Sequence, residues 1–210
     1  MREIAEKLLD INAVKLSPSE PFTWASGLKS PIYCDNRLTI SYPTVRKEIA
    51  AGIKDLIKQY YPEVEMIAGT ATAGIPHAAW VAELLDLPMT YVRSHPKDHG
   101  QGKQIEGVYS SGQKAVLIDD LLSTGGSVLQ AAGALTDAGV EVLGIVGIFN
   151  YELSKLHENF AHQGLTYHTL TNYSELLAAV DSRKAFSGPE IDSMYRWKQD
   201  PVNWYQQTKH

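Results

Sequence analysis

The chain has 210 residues, 44% of them hydrophobic and 20% charged, with 16 glycines and 10 prolines. These values describe an ordinary globular protein of one core plus an appended lobe, and they exclude collagen-like and wholly disordered chains. A formal net charge of -5 leaves no broad basic footprint for nucleic acid, and the single cysteine, Cys34, excludes an internal disulfide.

In chain order, the first residues carry the acids Glu3 and Glu6 without a long apolar run or a small-residue cleavage site, so no targeting segment is expected. Residues 2–13 place Ile4, Leu8 and Ile11 on one helical stripe. Residues 22–38, rich in Ser, Pro, aromatic and β-branched residues, read as short strands and turns. In residues 41–60, Ser41 is a candidate cap and Pro43 sits in the first turn. Val45, Ile49, Ile53, Leu56, Ile57 and Tyr60 then recur at helical spacing. Residues 64–68 form a short apolar strand, followed by the turn GTATAGIP and a helix reaching Leu85 that holds His77. Residues 89–92 form another strand. Residues 93–107, RSHPKDHGQGKQIEG, show no period and read as a long loop without apolar anchors.

Residues 114–118 are strand-like and run into DDLLSTGGS. A helix carrying Val128, Leu129, Ala132 and Leu135 follows, stopped by Gly139, and then a strand over 141–149. The apolar run near 140–149, interrupted by Glu141, is about half of the ~20 residues a membrane-crossing helix needs. A soluble cytoplasmic protein is therefore expected. The tail, with Trp197, Pro201 and Trp204, reads as a terminal helix packed on the core. Strands alternating with helices predict an α/β fold with a central, mostly parallel sheet flanked by helices. The expected organisation is a dependent N-terminal hood (1–40), an α/β core (41–185) and a C-terminal helical tail (186–210). In such a sheet ligands bind outside the carboxyl ends of the strands.

Two constellations fall at that edge. In VLIDDLLSTGGS an apolar strand ends in the carboxylates Asp119 and Asp120. Ser123, Thr124, Gly125, Gly126 and Ser127 then offer hydroxyls and backbone N–H groups at a helix N-terminus. Free N–H donors and the positive end of the helix dipole suit a phosphate. The two acids repel phosphate and suit sugar hydroxyls or developing positive charge. The second constellation is the loop 93–107. It gathers Arg93, His95, Lys97, His99 and Lys103, a basic cluster in an acidic chain, fitted to close over a multiply charged anion. Cys34 reads as a small packed residue. His157, His162 and His168 lack metal-ligand spacing. Trp24 and Tyr33 suit either stacking on a base or core filling.

The string VLIDDLLSTGGS resembles the signature for 5-phosphoribosyl 1-pyrophosphate (PRPP) of the type I phosphoribosyltransferases. The pattern Arg–x3–Lys–x–His–Gly, starting at Arg93, resembles the catalytic loop of the orotate phosphoribosyltransferases. FTWASGLKSPIYCDNR, residues 22–37, is similar to their hood over orotate, and GTATAGIP to their loop cupping pyrophosphate. The chain departs from many relatives at Ala25 before Ser26–Gly27, and from some at Ser94 after Arg93 and at Thr72–Ala73 in the pyrophosphate loop. The resemblance implies a type I phosphoribosyltransferase-like fold. PRPP would be held by Arg93, Lys97, His99, Asp119, Asp120, Leu121, Leu122, Ser123, Thr124, Gly125, Gly126 and Ser127, and Ser123 would also touch orotate. Arg93, Lys97, His99, Asp119 and Asp120 are the implied catalytic residues. Magnesium would arrive mainly on PRPP and pyrophosphate oxygens, with no dedicated protein cage. A homodimer sharing the loop across its interface is also implied. A purine or uracil phosphoribosyltransferase would share the phosphate turn but not the loop or hood motifs. A PRPP-sensing regulator of nucleic acid would need a basic face.

Overall fold

The computed structural model describes residues 2–95 and 104–207. Its frame is a six-stranded sheet built from β5 (Met66–Thr70), β6 (Met89–Val92), β7 (Ile105–Glu106), β8 (Lys114–Leu122), β9 (Glu141–Asn150) and β10 (Tyr167–Asn172). The strand order is β10-β9-β8-β5-β6-β7. Every pairing is parallel except β6 with β7. Parallel strands are covered on both faces, which is why β5 is buried at all five positions, MIAGT.

The helices fall on two sides of this sheet. Alternate residues of β8 point to opposite faces: Val116 and Ile118 enter one core cluster, Ala115 and Leu117 the other. The first cluster is filled by α1 (Arg2–Asp10), α2 (Pro43–Tyr60), α3 (Gly74–Leu85), α6 (Tyr173–Ser182) and α7 (Gly188–Gln199). The second is filled by α4 (Gly126–Asp137) and α5 (Ser154–Gln163). Helix α2 matches its expected register, with Pro43 in its first turn and Val45, Ile49, Ile53 and Ile57 buried. Helix α4 ends before Gly139, whose φ of +85° lies in the left-handed region.

The N-terminal segment consists of β1 (Val14–Leu16), β2 (Phe22–Thr23), β3 (Lys29–Ser30), β4 (Ile32–Cys34) and a 3₁₀ turn, Asn36–Ser41. Strand β1 pairs antiparallel with β4, and β2 with β3. Trp24 half-buries its ring 4.7 Å from Tyr151 and 5.7 Å from Trp197 of α7, so it fills core. Trp197 Nε1 donates to the Lys29 carbonyl at 2.9 Å. A short α8 (Trp204–Gln207) follows, and Trp204 is also buried. The tail is therefore a packed helical closure over the N-terminal segment.

Two expectations are corrected. β8 continues beyond Ile118 to Leu122, so Asp119 to Leu122 lie on a strand rather than in a turn. Pairing with β9 carries the extension, with Asp119 opposite Gly147 and Leu122 opposite Asn150. Residues 93–107 are not free of apolar anchors. Ile105 is buried at 5% exposure, and β7 pairs antiparallel with β6.

Candidate active site

The carboxyl ends of β5, β6 and β8 lie side by side, because these strands are parallel and neighbours in the order β8-β5-β6. Each end leads into one predicted constellation. After β5 come Ala71 to Ala73, with a cis Ala71–Thr72 peptide, and then α3. Gly74 opens that helix against the Ile118 carbonyl, where any Cβ would collide. After β6 comes Arg93. After β8 come Ser123, Thr124 and Gly125. A small cleft of about 40 Å³ lies between the first two and the start of α4, lined by Thr70, Ala71, Arg93, Ser94, Ser127 and Gln130 among others.

The turn after β8 is shaped for an anion. Gly125 precedes α4 with φ +80°, and no side chain caps the helix. The first-turn N–H groups are left without intrahelical partners, and the positive dipole end faces the same way. Gly125 is required twice over: by its left-handed φ, and because a Cβ would stand 2.6 Å from Phe160 Cε2. Asn159 Nδ2 donates to the Thr124 carbonyl at 2.8 Å and holds the turn from the side of α5. Thr124, Gly126 and Ser127 are exposed, Ser123 and Leu121 half-buried. Leu122 is fully buried in the second core cluster, so its side chain packs beneath the site.

Asp119 is 6% exposed. Its Oδ1 accepts the Asp120 backbone N–H at 2.9 Å. Burial, and then the charge of Asp120, push the Asp119 carboxyl well above the usual carboxylate range. Burial likewise raises Asp120, partly offset by Arg37. Two carboxyls with little solvent favour a positive neighbour, so the pair is suited to charge developing on a bound sugar.

Arg93 stands at the stem of its loop. Its N–H donates to the Gln104 carbonyl at 2.9 Å, and Gln104 Nε2 returns a bond to the Arg93 carbonyl at 2.8 Å. Arg93 Nη1 reaches Glu106 Oε1 at 3.5 Å. Lys97, His99 and Lys103 lie outside the described residues.

In the hood, Arg37 binds both carboxylate oxygens of Asp35, at 2.6 and 2.8 Å, and remains exposed. Lys29 Nζ donates to Thr23 Oγ1 at 2.6 Å and stands 5.5 Å from the Tyr205 ring centroid, at the closure between hood and tail. Cys34 is buried, as read, and its thiol donates to Asn36 Oδ1 at 3.3 Å. His77 lies in α3, fully buried. Sequence reasoning missed Gln104, Asn159 and Asn36. A polar residue beside a motif carries no signal of its own until the fold supplies its partner.

The fold and this edge define the class. The family model "Phosphoribosyl transferase domain" matches residues 43–175. An orotate phosphoribosyltransferase of Enterococcus faecalis is 60% identical over 203 residues, 97% of each chain. Among solved structures, UMP synthase of Leishmania donovani superposes with a TM-score of 0.81 at 27% identity, covering 94% of this chain and 42% of that one. Orotate phosphoribosyltransferase from Aeropyrum pernix gives a TM-score of 0.74 at 25% identity, covering 85% of this chain and 98% of that one. The chain belongs to the type I phosphoribosyltransferases and, within them, to the orotate phosphoribosyltransferase family.

Proposed function

We propose that this chain transfers the 5-phosphoribosyl group from PRPP to N1 of orotate, giving orotidine 5′-monophosphate and pyrophosphate in de novo pyrimidine biosynthesis in the cytoplasm. The observation that carries this reading is the junction of β8 and α4, where the buried Asp119 and half-buried Asp120 adjoin an uncapped, glycine-started helix. The turn from Ser123 to Ser127 holds the 5-phosphate through backbone N–H groups, and Ser123 also contacts orotate. Asp119 and Asp120 lie along the ribose, hold its hydroxyls and stabilise the positive charge that grows as the C1–pyrophosphate bond breaks. Arg93 and, on the loop it begins, Lys97 and His99 meet the pyrophosphate. Lys97 or His99 donates a proton to the departing oxygen. Closing that loop excludes water, which would otherwise hydrolyse PRPP.

The donor set fits magnesium delivered with PRPP. Asp119 and Asp120 are hard oxygen donors, and among the described residues no group of three or more His, Cys, Asp or Glu converges. Delivered with PRPP, the ion would supply charge neutralisation on the pyrophosphate, with Asp119 and Asp120 as the nearest hard donors of this chain. The working unit is a homodimer whose loop serves the neighbouring site. Among the described residues no helix is long and apolar enough to cross a membrane.

Absorbance of orotate, followed with PRPP and magnesium each omitted in turn, tests the reading. Orotate loss only with all three present supports it. A chain that leaves orotate untouched, or prefers a purine or uracil in a base panel, overturns it.

A further inference from the structure

The hood and the sugar edge meet at one fully buried polar side chain, Asn36, the first residue of the 3₁₀ turn. Its Nδ2 donates to the Asp120 main-chain carbonyl at 2.6 Å, across 84 positions of sequence. Its Oδ1 accepts the Cys34 thiol at 3.3 Å. Its own carbonyl accepts Thr39 Oγ1–H at 2.6 Å. The same Thr39 oxygen lies 3.4 Å from His77 Nε2 of α3. With the hydroxyl proton committed to Asn36, the ring nitrogen is the donor in that contact. The side-chain amide thus ties β4 to β8, and the main-chain carbonyl of the same residue, through Thr39, links the 3₁₀ turn to α3.

The place of this bond matters. β5 pairs with β8 only as far as Ile118, whereas β9 accompanies β8 to Leu122. The Asp120 carbonyl lies beyond the reach of the β5 ladder, and the Asn36 amide supplies a donor there. A buried carbonyl left without a donor is costly, so the side chain also sustains the extension that carries the acid pair.

We propose that Asn36 is a positioning residue for the reaction: its amide sets the Asp120 backbone, and hence the direction of the carboxylate toward the sugar. It also makes the acid pair and the hood segment holding Asp35 and Arg37 one mechanical unit. The inference rests on the reading above that Asp120 faces the ribose of PRPP.

A double-mutant cycle with Asp120→Asn, read as kcat/KM for PRPP, tests it. Asn36→Asp keeps the volume but sets an oxygen against the Asp120 carbonyl; Asn36→Ala removes the donor outright. Each should lower kcat/KM for PRPP at least about tenfold and leave the KM for orotate within about threefold. In the Asp120→Asn background each should cost less than about twofold further. Equal losses in both backgrounds, or a folded Asn36→Asp enzyme of ordinary activity, would overturn the proposal. Circular dichroism decides which variants are folded, and collapse of both also overturns it, since the residue would then serve folding alone. Should the unaltered chain fail to consume orotate, the functional reading falls by itself. Calorimetric binding of PRPP with magnesium then judges Asn36, and unchanged affinity of Asn36→Asp overturns the positioning role.

Discussion

Asp120 offers its backbone carbonyl to Asn36, and that bond does not engage its carboxylate. Asp120→Asn therefore retains the structural bond while removing the charge. Turnover should fall about a hundredfold with the melting temperature little changed, because preorganised charge near the reacting centre is worth several kcal/mol; steady-state kinetics beside a thermal melt measure both. His77 makes a separate, pH-dependent contribution. Burial lowers its pKa from 6.5 to about 4. The unfolded chain then binds the proton more readily, so this contribution to stability is intact above pH 6.5 and is lost as pH falls toward 4. Asp119 runs the other way, since its raised pKa relieves a charge penalty on acidification. The measurable quantity is thus the difference between the unaltered chain and His77→Gln. That difference should shrink by roughly 3 kcal/mol in chemical denaturation between neutral pH and pH 4. At this scale the sequence made the acid pair and the hydroxyl-glycine turn legible, because adjacency in the chain is adjacency in space. Asn36 was not legible, because its partner stands 84 positions away.

In the proposed reading, anion binding falls to the junction between β8 and α4. Gly125→Ala there would combine a strained left-handed φ with a Cβ thrust at Phe160. We expect a loss of about 1–3 kcal/mol in stability together with weaker PRPP binding, read by denaturant titration and calorimetry. A variant at Gly112, whose φ is also positive (+78°) but whose Cβ would meet nothing within 4 Å, separates backbone strain from the collision. Long periodic elements such as α2 could be read from their apolar spacing. The end of β8 could not, since Asp119 and Asp120 discourage strand and only the ladder to β9 overrides them. The two-residue β7 escaped for the same reason: a strand that short exists by virtue of its pairing with β6.

For the molecule as a whole, the sheet separates two cores, and the carboxyl ends of β8, β5 and β6 lie together at one edge of it. The loop between Arg93 and Gln104 leaves that edge from a stem locked by reciprocal backbone and amide bonds. If the loop serves a neighbouring protomer, mixing an Asp119→Asn/Asp120→Asn protein with a Lys97→Ala protein should restore activity. Up to about a quarter of the unaltered level is expected once subunits have exchanged at random. No recovery after demonstrated exchange would place the loop in its own site. Alternation of strands and helices made the overall class legible. The placement of the tail needed tertiary packing, because Trp197 and Trp204 look in sequence like any amphipathic end.

The indole of Trp197 grips the carbonyl of Lys29 across 168 positions. The roof formed by β1 to β4 is thus latched from outside, by a helix far from it in sequence. Opening of the roof and release of α7 are therefore one event, and amide exchange in β3 should rise together with exchange in α7.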